Sequence, residues 1–308
     1  VLIPTHERAE LLPRVLRAWR DRLSDGPEAE IVVVDDGSRD GTPRVLAELA
    51  DAFAAGEVPL RYARHDNAGA AVTRNRAIEM ARGRVLLFSD DDMVPDDPQL
   101  PARHLRAQAA RPGAWVSRLV VPDEVVETPF QAYWRRRLHA GTRRLRDGTD
   151  MGRNGFWFAT LSLPRQMLGD QRFSPAFDGY GWQDHELGYR LWRAGVRSRF
   201  LRDAAIWHFD RVTFATTESK YYRLGRRAWT FARLHPSLDV RLWTGTHPVS
   251  RLARLALVHP LRAARLRGRD VGELSDRQIA VLLELAYARG LADGAPRRGR
   301  AEPDGGDR

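Results

Sequence analysis

Through the first hundred positions, short apolar runs alternate with longer stretches in which apolar residues recur every three or four places. That alternation predicts parallel strands joined by crossover helices, and so an α/β sheet. Val1 to Pro4 reads as a strand. A helix over about residues 8–23 follows, with Leu11, Leu12, Val15, Leu16, Trp19 and Leu23 on one face. IVVVDD (31–36) is apolar enough to be a strand buried on both faces. Thr42 is expected to N-cap a helix that has Pro43 at its first position and runs to about Ala55. A third helix, about 70–82, is expected to close on Gly83 as a left-handed cap, after which RVLLFS (84–89) forms a strand leading into Asp90.

The pattern weakens between Pro95 and Asp150. WRRRLHAGTRRLRDGTDMGRNG (134–155) reads as a basic helix followed by a Gly-rich loop, expected to act as a mobile lid. FWFATLSLP (156–164) returns to strand character, Gly179 to Gly181 make a turn, a helix spans about 183–194, and RSRFLRDAAIWHF (197–209) is another strand. Beyond about residue 211 the chain reads as helical, with breaks at Pro236, Pro248 and Pro260. The expected organisation is therefore an α/β domain over 1–210, a helical extension over 211–294 and a disordered tail over 295–308.

Composition narrows the chemistry. The chain has no cysteine, which excludes disulfides, thiolate zinc sites and a thiol nucleophile. It has no apolar run long enough for a transmembrane helix. It opens on VLIP with neither an initiator Met nor a signal-peptide pattern, so a few native residues are expected ahead of Val1 and the expected location is the cytoplasm. Of the net charge of +10, residues 211–308 carry +9. Lys220 is the only lysine, so the abundance of arginine reflects codon bias and not selection for guanidinium chemistry.

Two acidic clusters, Asp35/Asp36 and Asp90/Asp91/Asp92, follow buried strands. In an open α/β sheet ligands bind at the carboxyl ends of strands, so both clusters are expected to face one crevice. Asp90 and Asp92, two apart in extended chain, point the same way. Like charges held together there call for a cation, and hard oxygen ligands suit Mg²⁺ or Mn²⁺ carrying a diphosphate. The alternative is a solvated acidic loop that caps helices.

VLIPTHER (1–8), VVVDDGSRDGT (32–42), NAGAAVTRNRAIEMARG (67–83), FSDDDMVP (88–95) and GYGWQDHELGYRLWRAG (179–195) resemble, in order and spacing, the family 2 glycosyltransferases of the GT-A fold. The resemblance spans residues 1 to about 210. It implies a Rossmann-like, mainly parallel sheet flanked by helices, with a nucleotide-binding half over about 1–95 and an acceptor and catalytic half over about 96–210. For a nucleotide-sugar donor, with UDP favoured, it implies Pro4, Thr5, Arg8 and Asp36 at the base and ribose. Asn67, Gly69, Arg74 and Asn75 would line the rest of the donor pocket, with Asp90 and Asp91 at the diphosphate. A divalent cation would be held by Asp90, Asp92 and His208. Asp184 takes the position of the family's catalytic carboxylate, implying a general base for inverting transfer to an acceptor hydroxyl; the local alternative is a helix N-cap. Gln183 replaces the family's usual Glu.

Trp157, Trp182 and Glu186 are the candidates for acceptor contact. Aromatic rings stack on sugar faces, although core packing claims many such rings, and Glu186 with Arg190 also fits an i, i+4 salt bridge. The expected acceptor is a glycan or a lipid-linked sugar. The basic, leucine-rich stretch 249–269 suits peripheral docking on an anionic membrane at the inner face of the cell, or packing of its leucines against the rest of the protein. No nucleic-acid partner is expected, since the tail holds no recognised motif. Gln183 keeps open a weakly active or inactive sugar-nucleotide- or carbohydrate-binding protein. A nucleotidyltransferase lacks its Gly-rich triphosphate loop here, and a dehydrogenase lacks G-x-G-x-x-G after the first strand.

Overall fold

The computed structural model describes all residues except 27, 55, 178, 258–265, 267 and 297–308. The chain divides into two units, Val1–Phe214 and Ala215–Arg308. In the first, the elements run β1 (Leu2–Thr5), α1 (Leu12–Leu23), β2 (Ile31–Asp36), α2 (Thr42–Phe53), β3 (Leu60–His65), α3 (Ala70–Met80), β4 (Val85–Leu87), β5 (Met93–Pro95), α4 (Leu100–Ala110), β6 (Ala114–Val120), α5 (Pro129–Thr142), β7 (Leu161–Pro164), α6 (Arg165–Leu168), α7 (Gln183–Arg193) and β8 (Ser198–His208). Strands β1, β2 and β3 form a parallel sheet, and β4-β7-β6-β8-β5 a mixed one. A parallel bridge from Leu2 to Phe88 joins them.

Alternation along the strands separates two cores. Ile3, Ile31 and Val33 face α1 and α2, burying Leu16, Trp19, Leu46 and Phe53, while Leu2, Val32 and Val34 face α3 and the cluster around Phe156, Phe158 and Phe173. This is the period-two pleat that the IVVVDD run required. Phe158 meets Phe88 and Phe173 edge to face at ring separations of 5.0 and 4.8 Å. Only the end of FWFATLSLP pairs as a strand; its aromatic start is core.

Several local expectations are corrected. Helix α1 begins at Leu12, with Pro13 in its first turn, and residues 6–11 stay as a loop that carries His6 and Arg8. Thr42 does not cap α2: its amide donates to Asp40 (2.9 Å), while its hydroxyl accepts from the Arg8 amide (2.9 Å). Gly83 is not a left-handed cap, because α3 ends where Ala81 turns extended. The expected lid is tied down. The Gly148 and Met151 amides donate to the Phe200 and Ser198 carbonyls (2.9 and 3.0 Å), and the Phe200 amide donates to the Thr149 carbonyl (3.0 Å).

The second unit contains α8 (Phe214–Leu234, from its second residue), α9 (Leu238–Thr244), α10 (Pro248–Leu257) and α11 (Asp276–Asp293). Pro236 separates α8 from α9, and Pro248 opens α10; Pro260 lies outside the described residues. Ser275 and Gln278 form a capping box at the start of α11. Helices α8 and α11 cross in backbone contact. A Cβ on Gly225 would overlap the Tyr287 carbonyl, and one on Gly290 would overlap the Tyr222 carbonyl. Among the described residues no helix is long and apolar enough to cross a membrane.

Candidate active site

Strand register brings the motifs together. Parallel pairing sets Pro4 beside Val34 and Thr5 beside Asp35, so the loops after β1 and β2 emerge side by side. The β5–β8 pair places Met93 opposite His208, and the Phe209 amide donates to the Asp92 carbonyl (2.9 Å). The triple aspartate thereby meets WHFD, more than a hundred residues away in sequence.

Asp91 is buried and ties the β1 loop to the β4 loop. It accepts from the Thr5 hydroxyl (2.7 Å), from the His6 amide (3.3 Å) and from Arg8 Nε (3.2 Å). Burial, with Asp92 behind it, pushes its carboxyl up to about 7 against the pull of Arg8 and Thr5. The Arg8 guanidinium also reaches Asp92 (3.4 Å). Asp92, His208 and Asp210 offer ligand atoms that all lie within 4.8 Å of one another. Burial disfavours the His208 cation, but Asp92, Asp210 and Asp90 outweigh it and raise the imidazole's pKa. Two carboxylates and an imidazole fit a divalent cation, and the nitrogen favours Mn²⁺ over Mg²⁺.

Asp90 is directed elsewhere. Arg74, on α3 and buried, bridges it (2.6 Å) to Asp184 (3.2 Å) at the start of α7. Burial raises the Asp184 pKa and Arg74 opposes it, and the side chain remains a quarter exposed. The turn into α7 is conformationally costly: Gly179, Gly181 and Trp182 all have positive φ, at 104°, 124° and 67°. A Trp at positive φ is a genuine outlier, and such strain concentrates at functional sites. Gln183 supports the turn by accepting from the Gly181 amide (2.8 Å). A Glu carboxylate accepts the same bond, so the replacement keeps the support and removes a buried charge.

The other acidic pair is engaged differently. Asp35 takes the Ser38 amide and hydroxyl (3.0 and 2.5 Å) and Arg64 (3.3 Å). Asp36 accepts from the Ala68 amide (2.7 Å) and the Gly69 amide (3.0 Å), holding the 67–69 loop beside the carboxyl end of β2. Gly37, at φ 75°, permits this approach, since a Cβ there would stand 2.6 Å from the Asn67 nitrogen.

The structure thus gathers Thr5, Arg8, Asp91, Asp92 and His208 into one network and Arg74, Asp90 and Asp184 into a second, the two meeting at the consecutive Asp90 and Asp91, with Pro4 and Asp36 on the adjoining strand ends. Asn67 is exposed and Gly69, at φ 87°, leads into α3. Asn75 instead clamps the Phe173 backbone, donating to its carbonyl (2.9 Å) and accepting from its amide (2.8 Å). Glu186 is buried in a two-pronged pair with Arg190 (2.8 and 2.9 Å), which is the salt-bridge alternative. Trp182 is largely buried with its ring edge-on to His185 at 5.3 Å, and Trp157 is half-buried with its indole N–H on the Asn154 carbonyl (2.8 Å). Asp210 was not among the expected ligands. It stands two residues after His208, and only the Met93–His208 register brings it to Asp92; the same spacing does not align Asp90 with Asp92 as expected, because residues 91 and 92 form a turn that sends Asp90 to Arg74 and Asp92 to His208.

Comparison with known proteins agrees with this geometry. The chain is 29% identical over 275 residues to validoxylamine A glucosyltransferase of Streptomyces hygroscopicus subsp. jinggangensis, which covers 80% of this chain and 63% of that protein. It is 28% identical over 202 residues to the glycosyltransferase AglD of Haloferax volcanii, covering 64% of this chain and 31% of that one. The chain therefore spans under two thirds of the length of these relatives. Among solved structures, the mannosyltransferase PcManGT from Pyrobaculum calidifontis, in complex with GDP-Man and Mn²⁺, superposes with a TM-score of 0.63 at 18% identity over 95% of this chain and 85% of that one. TarS of S. aureus (residues 1–349) gives 0.53 at 15% identity over 94% and 90%. Both likenesses show the GT-A fold. The sequence profile described as Glycosyl transferase family 2 matches residues 1–162, more than half of the protein, and the chain belongs to that family.

Proposed function

We propose that the protein transfers a sugar from a nucleotide-sugar donor to a hydroxyl of a glycan or lipid-linked acceptor, with inversion at the anomeric carbon. The observation that supports this reading is the Arg74 bridge, in which one guanidinium holds both the Asp90 and the Asp184 carboxylate. Asp184 would take the proton of the attacking hydroxyl, on the face opposite the leaving diphosphate. Its burial raises its basicity, and Arg74 restrains that rise. Asp92, His208 and Asp210 would hold Mn²⁺ or Mg²⁺, which when bound neutralises charge on the departing diphosphate. Arg8 would turn from Asp91 and Asp92 to a donor phosphate. The β1 and β2 strand ends, with Asp36 and the 67–69 loop, would receive the nucleoside.

The nucleobase reading is UDP, the nucleotide bound in a TarS structure, with GDP the competitor because PcManGT was crystallised with GDP-Man. The acceptor reading places the protein at the inner face of a membrane, reached through its basic C-terminal unit. A panel of UDP- and GDP-sugars, tested by thermal shift with and without Mn²⁺, is the direct test. A ligand that binds only the native state stabilises it by about 2.7 kcal/mol at a hundred times its dissociation constant. A metal-dependent rise with one donor supports the reading, and no rise with any donor overturns it.

A further inference from the structure

Among the described residues seven large apolar side chains are conspicuously exposed, and five of them fall within nineteen residues of the second unit: Leu234, Leu238, Leu242, Val249 and Leu252. Leu238 and Leu242 lie one turn apart on α9, whose opposite face buries Val240 and Thr244. Val249 and Leu252, with the exposed Ala253 and Ala256, line one side of α10. The two helices adjoin, since the Ser250 hydroxyl donates to the Leu242 carbonyl (3.4 Å) and the His247 amide to the Arg241 carbonyl (3.0 Å). Scattered exposed leucines need no explanation, but a grouped set marks an interaction surface.

The charge around this face selects its occupant. On α9 and α10 the described charged residues are Arg241, Arg251 and Arg254 against one acid, Asp239, which is exposed on α9 beside Leu238. Arg254 is turned inward, ion-paired with Glu284 and stacked over the Tyr287 ring at 4.4 Å, and Arg251 lies over Trp229 at 5.9 Å. Arg241 is exposed between the two leucines of α9. An isologous contact between two copies of this chain would bring a net excess of cations against itself, with Asp239 the one acid to offset them. A bilayer with anionic headgroups supplies an apolar interior for the leucines and negative charge for the arginines at the same boundary.

We infer that the leucine face of α9 and α10 inserts into the surface layer of an anionic membrane, with Arg241 at headgroup level. This rests on the reading that the acceptor is presented at a membrane, and it relocates the contact. The arginines 251 and 254, which the sequence offered to the lipid, are spent inside the unit; of the remaining basic stretch, 258–265 and 267 lie outside the described residues.

Vesicle flotation of the full chain tests it, using phosphatidylglycerol-containing and pure phosphatidylcholine vesicles at low and high salt. The wild type is expected to float with the anionic vesicles only, less so as salt rises. L238S/L242S/V249S/L252S should lower the bound fraction by at least roughly tenfold, with circular dichroism and thermal midpoint retained because all four side chains are exposed. R241Q should weaken anionic binding while leaving the fold intact. Wild-type flotation that survives the four serines, absence of flotation, or self-association in ultracentrifugation that the serines abolish would each overturn the inference. The transferase reading fails separately: intact, serine-sensitive flotation with no sugar transferred from any donor supports the face and removes the activity.

Discussion

The two acidic clusters stand at neighbouring strand ends yet are balanced in opposite ways. Asp36 is satisfied by main-chain N–H groups of Ala68 and Gly69, and Asp35 by Ser38 and Arg64. Asp90, Asp91, Asp92 and Asp184 are balanced chiefly by cationic side chains, Arg8, Arg74 and His208. A main-chain donor is fixed by the fold, whereas a guanidinium or an imidazole can exchange its carboxylate for a phosphate or share it with a metal ion. Asp36, tied to main-chain amides, is therefore scaffold for the 67–69 loop, while Asp35, which shares the exposed Arg64, and the second cluster are held by groups that can exchange partners. Four substitutions separate the two arrangements.

The largest effect belongs to Asp184. In D184N, turnover should fall by roughly 10²- to 10⁴-fold, the usual worth of a positioned base, with donor affinity nearly unchanged. Loss of donor binding with turnover preserved at saturation would move Asp184 into the donor site, and proton NMR of the first product should show the inverted anomer.

Next comes Asp210. D210N should weaken Mn²⁺ activation by about ten- to a hundredfold, read from metal titrations of donor turnover. D92N should do at least as much. A normal metal response in D210N would leave Asp92 and His208 as the working pair and return Asp90 to the site.

Arg74 sharpens the distinction through pH. It opposes the burial that raises the Asp184 pKa, so in R74M that pKa rises further and the acid limb of the turnover profile moves to higher pH. A shift of about one unit costs about tenfold in rate at the acid end. R74K should recover part of the shift. An unmoved acid limb in R74M would detach the guanidinium from the base.

The smallest effect on chemistry, and a plain one on stability, is expected from D36A. It strands the Ala68 and Gly69 amides, at a cost of about 1–3 kcal/mol. The thermal midpoint and donor affinity should fall together, with turnover at saturating donor close to wild type. An unchanged midpoint would show that the loop does not depend on this carboxylate.

What the sequence disclosed followed the range of the interactions involved. The pleat of IVVVDD, the helix after Gly69 and the facing of the two acidic clusters are local consequences of apolar period and strand ends, and they were legible. Asp210 was not, because its partnership with Asp92 is created by the Met93–His208 register across two strands. Asn75 was assigned to the donor pocket on motif alone, and it is occupied by a partner that only folding brings near, the Phe173 backbone 98 residues along. The Glu186–Arg190 pair, by contrast, is the i, i+4 contact that helix spacing already offered. Trp182 shows the remaining difficulty, since its left-handed backbone is imposed by the glycine turn and leaves no trace in hydrophobic pattern.

The glycine crossing of α8 and α11 sets where the protein can be shortened. Because Gly225 and Gly290 each receive the other helix's carbonyl, neither helix has a substitute partner for that strip of backbone. Gene truncations that end after Gly294 keep the crossing whole. Those that end before Asp276 delete α11, uncover the Gly225 strip of α8 and deprive the Trp229 indole N–H of its Leu291 carbonyl, so expression trials should find a sharp boundary in soluble yield between the two.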